Sequence, residues 1–154
     1  MPIEYRRAVL KDAATVAQYA AAMAFETERL ELDRSKVLRG VEAAILDPSK
    51  GFYLLAVADG MVLGQAMVTF EWSDWSNAMR WWLQSVYVHP GHRKKGVFRG
   101  IFDQLRSLAL SEGTVCCMRL YVERENHGAQ ATYQKLGFGE THYLLYELDL
   151  PSGR

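Results

Sequence analysis

Apolar and polar residues follow two different periods along the chain. Runs that alternate or are rich in β-branched and aromatic residues predict strands, and apolar residues recurring every three or four positions predict helices. Strands are predicted over residues 3–8, 52–58, 61–72, 79–88, 115–122 and 141–148, and helices over residues 12–23, 35–46, 97–110 and 126–136. The order β-α-α-β-β-β-α-β-α-β predicts an α/β fold with a mixed central sheet of about six to seven strands and helices on both faces.

Turn and capping residues set the boundaries of these elements. Asp12 and Asn126 stand where N-caps are expected, and Asp59-Gly60 predicts a tight hairpin. The strand–helix–strand unit around residues 97–110 predicts two parallel strands. Residues 26–33 are polar and are expected to be irregular. No linker or repeat divides the chain, so one domain over residues 1–154 is predicted.

Composition and charge narrow the function classes. The 154 residues are 49% hydrophobic and 23% charged, with 18 basic and 18 acidic side chains. A net charge of zero provides no overall field that would hold nucleic acid or an anionic membrane, so any anion site must be local. No apolar run is long enough for a membrane span, and the N-terminal residues lack a signal core. We therefore expect a cytoplasmic protein.

The cysteines and histidines suggest no redox or metal centre. Cys116 and Cys117 are neighbours in the strand-like run VCCMRLYV, which predicts two packed thiols on opposite faces rather than a disulfide. A vicinal redox pair is the alternative. The four histidines are scattered without metal-ligand spacing. No metal is predicted.

Residues 84–108, QSVYVHPGHRKKGVFRGIFDQLRSL, carry the strongest functional signal. They predict a strand, a Pro-Gly break, a short basic loop and a helix. The first N–H groups of a helix have no partner inside it, and the helix dipole makes that end electropositive. Gly96 allows a ligand to approach the backbone, and the basic side chains around it are those of His92, Arg93, Lys94, Lys95 and Arg99. This segment predicts a diphosphate site, although a solvated basic loop is the alternative.

Two motifs in this chain resemble those of the GNAT superfamily of N-acetyltransferases. VYVHP at residues 86–90, followed by RKKG at residues 93–96, is similar to the family's acetyl-CoA loop (Q/R)-x-x-G-x-(G/A). The second is Asn126-x-x-Ala129-x-x-x-Tyr133-x-Lys135-x-Gly137-Phe138. The order of the predicted elements also resembles the family over nearly the full length. Phe98 departs from the small residue that the loop pattern prefers.

The resemblance implies an enzyme that binds acetyl-CoA between two splayed parallel strands. The cofactor arm would pair with the backbone of the strand ending at Val88, and the loop amides would hold the diphosphate. A bulge would interrupt this strand and offer an N–H to the thioester carbonyl, at a position that the sequence does not give. The implied cofactor-binding residues are Val86, Tyr87, Val88, Arg93, Lys94, Lys95, Gly96, Val97, Phe98, Arg99, Asn126, Ala129 and Tyr133.

The resemblance also assigns Tyr133 as the acid that protonates the departing thiolate. A phenol with an ordinary pKa near 10 is protonated at neutral pH and needs no special tuning for that role. A core tyrosine with a satisfied hydroxyl is the alternative. Asn126 is expected to bond the cofactor arm, to cap its helix, or to do both.

The acceptor side is predicted from the run EWSDWSNAMRWW, which contains all four tryptophans. Aromatic rings with embedded carboxylates would attract a protonated amine by charge and cation–π contact. Glu71 is the leading candidate for the general base, acting through water, with Glu26 and Glu28 next. Hairpin packing with surface acids is the alternative. The candidate substrate-binding residues are Glu26, Glu71, Trp72, Asp74, Trp75 and Gln84.

The sequence thus predicts an N-acetyltransferase that moves acetyl from acetyl-CoA directly to a primary amine of a small molecule or peptide. No nucleophilic motif suggests a covalent enzyme intermediate. Two rival functions remain: a catalytically silent CoA-binding sensor, and a partner-binding domain that uses the tryptophan-rich hairpin. No nucleic acid or membrane partner is expected. An exposed last strand would favour a homodimer.

Overall fold

The computed structural model describes residues 2–151. Its strands are β1 (Glu4–Arg7), β2 (Phe52–Ala58), β3 (Met61–Ser73), β4 (Ala78–Val88) and β5 (Val115–Arg119). Its helices are α1 (Ala13–Glu28), α2 (Arg34–Leu46), α3 (Val97–Glu112) and α4 (His127–Lys135). The chain divides into two compact units, one ending at Tyr121 and one beginning at Val122. All five strands belong to the first unit.

The sheet order is β1-β2-β3-β4-β5. The first four strands pair antiparallel, and β4 and β5 pair parallel, as the strand–helix–strand pattern predicted. The turn between β2 and β3 places both Asp59 (φ 50°) and Gly60 (φ 74°) in the left-handed region. Two positive φ angles in a two-residue turn match the right-handed twist of the flanking strands, so the predicted hairpin is confirmed.

Helices cover both faces of this sheet. On one face, Val97, Ile101 and Leu105 of α3 pack in a buried cluster with residues of β2, β3 and β4. On the other face, Val16 of α1 and Val41 of α2 belong to a second buried cluster with residues of β2, β3 and β4. The mixed sheet between two helical layers confirms the predicted α/β class.

The backbone of α3 approaches the side chain of Tyr5 on β1 closely at Gly100. A Cβ atom added to Gly100 would overlap the hydroxyl of Tyr5 on β1. Glycine at this position therefore allows the first turn of α3 to contact the aromatic ring. The start of α3 is fixed relative to the sheet in this way.

The sheet has five strands among the described residues, not six to seven. The predicted strand over residues 141–148 is irregular, and Leu144, Tyr146 and Leu148, which alternation would place on one side, are exposed. An alternating pattern alone does not make a strand, because the segment also needs a hydrogen-bonded neighbour. The strand predicted to reach residue 122 ends at Arg119.

The first helix also differs from its prediction. It extends to Glu28 and includes part of the segment that was expected to be irregular, with Arg29 (φ 54°) as its C-cap. The carboxylate of Asp12 does not cap α1. It accepts hydrogen bonds from the Val9 N–H at 2.8 Å and from two nitrogens of Arg6 at 2.8 and 3.0 Å. The hydrogen bond from Arg6 is the main reason why the pKa of Asp12 lies below its ordinary value.

The second unit contains α4. Asn126 caps this helix, since its side chain accepts a hydrogen bond from the Ala129 N–H at 3.2 Å. Gly137 follows the helix with a φ of 102°, as expected of a C-terminal stop. None of the helices within residues 2–151 is long and apolar enough to cross a membrane.

Candidate active site

A β-bulge interrupts β4 close to its C-terminal end. The ladder pairs Gln65 with Tyr87 and Met67 with Gln84, so one residue of β3 lies opposite two residues of β4. Ser85, one of these two, has a φ of 49°. A residue other than glycine in this region is uncommon and stores conformational strain, which frequently marks a functional position. The implied bulge is thus located at residues 85–86.

A buried amide side chain contacts the bulge. Gln65 has 0% of its surface exposed, and its Nε2 donates to the Ser85 carbonyl at 3.3 Å and to the Val16 carbonyl at 3.4 Å. Its Oε1 is buried without a hydrogen-bond partner in the structure. Gln65 is not among the site residues predicted from the sequence. The signal was a polar side chain within the apolar run VLGQAMV.

Among the described residues, the C-terminal half of β4 has no strand partner on the side away from β3. The β5 register pairs only residues 79–82 of β4, because Trp82 lies opposite Arg119, where β5 ends. Residues 83–88 have no partner in that register. Main-chain groups along this edge can therefore pair with an extended ligand that bears amides. Val86, Tyr87 and Val88 belong to this edge.

The loop after β4 leads into an uncapped helix. Gly96 is the N-cap of the 16-residue α3, with a φ of 79° and no side-chain cap, and the first turn contains no acidic residue. A Cβ atom at Gly96 would have open space around it. Lys94 and Lys95 are exposed in the preceding loop, and Phe98 is half-buried in the first turn. Free N–H groups, positive charge and open space suit an anionic group.

Arg93 connects this loop to β4 and α1. Its Nε donates to the Val88 carbonyl at 2.8 Å, and its Nη2 donates to Glu26 Oε1 at 2.9 Å. Its guanidinium lies 5.2 Å from the centre of the Tyr87 ring. Burial alone would raise the pKa of Glu26, but hydrogen bonds from Tyr87 and Arg93 outweigh it and lower that pKa. Arg99 instead pairs with Asp103 on its own helix at 3.2 Å.

Tyr87 on β4 also interacts with Glu26. Its burial, together with the hydrogen bond and charge of Glu26, raises the pKa of Tyr87 to about 12. The Tyr87 ring lies 5.0 Å from that of Tyr19 on α1. The end of β4, the loop and α1 are thus joined by one set of contacts.

Glu71 lies on β3 in a cluster of basic groups. Its carboxylate accepts hydrogen bonds from Arg80 at 2.8 Å, the Trp82 indole at 3.0 Å and Arg119 at 3.4 Å. The hydrogen bond from Arg80 contributes most to holding the pKa of Glu71 below its ordinary value, against the effect of desolvation. A carboxylate with a lowered pKa is a weaker proton acceptor. The three charged side chains also sum to a positive charge.

The remaining predicted acceptor residues do not form one wall. Trp72 and Trp75 are 57% and 86% exposed, and Asp74 is exposed between them. Trp81 is only 4% exposed and belongs to the core cluster on the α3 face. Gln84 donates to the Thr69 hydroxyl at 2.6 Å. Alternation along β3 and β4 sends neighbouring tryptophans to opposite faces.

Tyr133 belongs to the second unit. It is half-buried on α4, and its ring contacts the Phe138 ring edge-on with centres 5.8 Å apart. Burial raises the pKa of its phenol. The hydroxyl is therefore protonated at neutral pH, as a proton donor must be.

The two cysteines are free and exposed, which contradicts the prediction that they are packed. β5 is the edge strand of the five-stranded sheet. The helices that cover the sheet need not cover both faces of an edge strand, so alternation there does not ensure that a side chain is buried. Partial desolvation and the neighbouring Cys116 nevertheless raise the pKa of the Cys117 thiol, although Arg119 and Arg80 oppose this. A raised pKa makes the thiol less nucleophilic at neutral pH.

Comparison with known proteins identifies the family. The sequence profile of the acetyltransferase (GNAT) family matches residues 14–138. A possible acetyltransferase from Clostridium difficile is 40% identical with a TM-score of 0.92, over 97% of this chain and 99% of that one. No relative was found among proteins with curated descriptions.

Two more distant solved structures share the fold. One is a predicted acetyltransferase from Clostridium acetobutylicum whose crystal structure contains acetyl-CoA; it is 19% identical, with a TM-score of 0.78 and 96% of both chains covered. The other is a ribosomal-protein-alanine N-acetyltransferase from Brucella melitensis biovar Abortus, 19% identical with a TM-score of 0.76, over 97% of this chain and 99% of that one. The family match and the 40% identical relative show that this chain belongs to the GNAT family of acetyltransferases and is an acyltransferase.

Proposed function

We propose that the protein moves an acetyl group from acetyl-CoA directly to a primary amine of a small molecule or peptide. Acceptor and donor would be bound together, with no covalent enzyme intermediate. The observation that carries the proposal is the open edge of β4 at residues 83–88, which leads within one loop to the uncapped N-terminus of α3. One part of this surface suits an extended chain of amides, and the other suits a diphosphate.

The residues present fit acetyl-CoA, which would supply an activated acetyl thioester. Backbone groups of Val86, Tyr87 and Val88 would pair with its amide-bearing arm, and N–H groups from Arg93 to Arg99 would hold the diphosphate. Gly96 keeps the helix start free of side-chain bulk. Arg93 is already bound to Val88 and Glu26, so we propose that its side chain shapes the loop.

We propose Tyr133 as the acid that gives a proton to the departing thiolate. Its raised pKa keeps the hydroxyl in the protonated form that this role needs. Tyr133→Phe should lower kcat by about a hundredfold, within the usual range for general acid catalysis, and change the acetyl-CoA Kd by less than about threefold. An equal loss of rate and affinity would remove Tyr133 from the acid role.

On the acceptor side, Glu71 and Glu26 are the candidate carboxylates. Both have lowered pKa values and existing partners, which favours their binding and orienting an amine over accepting its proton. The role of Glu71 as general base remains a hypothesis. The positive sum of the Glu71, Arg80 and Arg119 charges means that this cluster would not attract an ammonium group by net charge alone.

The test combines binding and turnover on the same preparation. Calorimetry with acetyl-CoA measures binding, and release of free thiol with a panel of primary amines measures transfer. Binding together with thiol release that depends on an amine would support the proposal. Binding without turnover on any amine would favour the sensor, and the absence of both would refute the proposal.

Partner binding is the second candidate, favoured by the exposure of Trp72 and Trp75 at the end of the β3–β4 hairpin. Large exposed aromatic residues are enriched at protein interfaces. If this candidate is right, Trp75→Ala should break an assembly while acetyl transfer stays intact. Sedimentation of the wild type and the variant measures this directly.

A further inference from the structure

Gln65 combines features that its contribution to packing does not explain. The side chain is fully buried, its two hydrogen bonds are long at 3.3 and 3.4 Å, and its Oε1 has no partner. A buried acceptor without a partner lowers the free energy of unfolding, and hydrogen bonds of this length contribute little to it. A residue that breaks a local rule in a well-packed core often does so for function.

The group that Gln65 holds is the peptide that joins Ser85 and Val86. Its Nε2 donates to the Ser85 carbonyl, at the residue with the positive φ. The chain has no cis peptide bond among its described residues, and in a trans peptide the C=O and N–H point in opposite directions. When Gln65 holds the Ser85 carbonyl, the Val86 N–H is therefore aimed away from Gln65.

We propose that Gln65 is a positioning residue that aims the Val86 N–H at the thioester carbonyl of the acetyl donor. The inference rests on the proposed function. The Val86 N–H belongs to the same peptide as the carbonyl that Gln65 holds, and it lies in the stretch of β4, residues 83–88, that has no partner in the β5 register. An N–H fixed before the ligand arrives stabilises negative charge on the carbonyl oxygen without reorganising during the reaction.

The hydrogen bond to Val16 gives this arrangement a second support. Gln65 Nε2 also donates to that carbonyl on α1, so the amide joins the bulge to the helix that covers this face. Rotation of the amide by half a turn would place Oε1 against two carbonyl oxygens. Both contacts therefore fix the same orientation of the side chain.

The test replaces Gln65 with methionine, which has similar length but no amide. Gln65→Met should lower kcat at least about tenfold, while the KM and Kd for acetyl-CoA stay within about threefold, because only the orientation of one donor is lost. Tyr19→Phe is the matched control. It removes another buried hydrogen bond between α1 and the sheet, from Tyr19 to the Val62 carbonyl at 2.6 Å, without touching the bulge. The control should keep its kcat and lose at least as much thermal stability as Gln65→Met.

A spectroscopic measurement separates positioning from general damage. In the wild type, the amide proton resonances of Val86 and Gly96 should both move when acetyl-CoA is added; in Gln65→Met, only that of Gly96 should still move. An unchanged kcat in Gln65→Met, or a Val86 resonance that stays fixed in the wild type while that of Gly96 moves, would overturn this inference and leave the proposed function standing. A wild type with no Gly96 response and no turnover would overturn both. If Gln65→Met does not fold, Gln65→Asn takes its place with the same expected results, because its amide is one methylene further from the Ser85 carbonyl.

Discussion

The two halves of β4 differ in how completely their main chain is used. Residues 79–82 pair with both β3 and β5, and Arg80 adds an ion pair with Glu71. Residues 83–88 pair only with β3, and the bulge at Ser85 interrupts even that ladder. One half is paired with a strand on each side, and the other lacks a partner in the β5 register.

The two halves of β4 also differ in how much they contribute to stability. Paired N–H and C=O groups and the Arg80–Glu71 contact stabilise the first half. The second half contains Ser85, a non-glycine residue with positive φ, and its carbonyl is contacted by the buried Gln65 of β3, whose Oε1 has no hydrogen-bond partner. Both features lower stability, and both are found at the half of β4 that we propose to bind the acetyl donor: Ser85 belongs to it and Gln65 contacts it from β3. The comparison can be tested by changing one half at a time.

The largest effect is expected from Ser85. A β-branched residue is strained at positive φ, so Ser85→Ile should push the bulge towards regular strand geometry and redirect the Val86 N–H. Loss of one donor to a developing oxyanion costs about a hundredfold in rate or more. Steady-state kinetics should therefore show a fall of about that size in kcat.

Ser85→Gly is the matched control, because glycine adopts a φ of 49° without strain. It should keep kcat within about threefold of the wild type, since the donor stays in place. Equal kcat values for the isoleucine and glycine variants would show that the bulge conformation does not matter for turnover.

Gly96→Val should weaken acetyl-CoA binding by about tenfold, through the strain of a β-branched residue at positive φ and the loss of space at the helix start. Gly113→Val is the control at the other end of α3, where φ is 71° and a Cβ atom would also have open space. Both variants should lose stability to a similar extent. Calorimetry should show a change in Kd for Gly96→Val alone, and a change for both would count against the diphosphate site.

The sequence predicted the fold more accurately than the chemistry around β4. The strand over residues 52–58 was predicted with its observed bounds, because an apolar run beside a strong hairpin turn leaves little choice. The bulge was not located, since it depends on the register between two strands and not on either strand alone. For the same reason the partners of Glu71, which come from β4 and β5, could not be predicted.

The strand predicted over residues 141–148 failed for a related reason. Alternation describes which side of a strand each residue would face, but not whether a neighbouring strand is present to pair with it. Gln65 was missed because one polar residue in an apolar run has no assigned partner until the fold brings Ser85 beside it. Period and capping are local properties, whereas the site is built from contacts between distant residues.

In the paired half, Glu71→Gln should have a moderate effect. It leaves Arg80 and Arg119 without their shared carboxylate, so Tm should fall by about 2–4 °C at pH 7. Because the folded pKa of Glu71 is lowered, its stabilisation is present above the ordinary glutamate pKa of about 4.3 and is lost as the pH falls through the lowered value. The difference in Tm should therefore disappear in acid. Glu112→Gln, at the exposed end of α3, is the control.

The same variant tests the general base. If Glu71 accepts a proton from the amine, the rate of Glu71→Gln should fall most at low pH, where the amine is charged. If Glu71 only holds the paired half of β4 in place, kcat should fall by the same small factor at every pH. A pH–rate profile of unchanged shape would exclude Glu71 as the base.

The smallest effect is expected from Trp75→Ala at the far end of the paired half. Trp75 is 86% exposed, so its removal leaves no cavity, and Tm and the acetyl-CoA Kd should both stay unchanged. The acceptor KM should rise by at most about threefold if the ring only contributes an exposed cation–π contact.

Trp81→Ala is the contrasting variant. The Trp81 ring is 4% exposed and packs edge-on against Phe52 with ring centres 5.4 Å apart, so its loss should lower the free energy of unfolding by about 3–5 kcal/mol. A fall in Tm for Trp75→Ala as large as that for Trp81→Ala would show that the hairpin tip is buried in solution, which only an interface could explain.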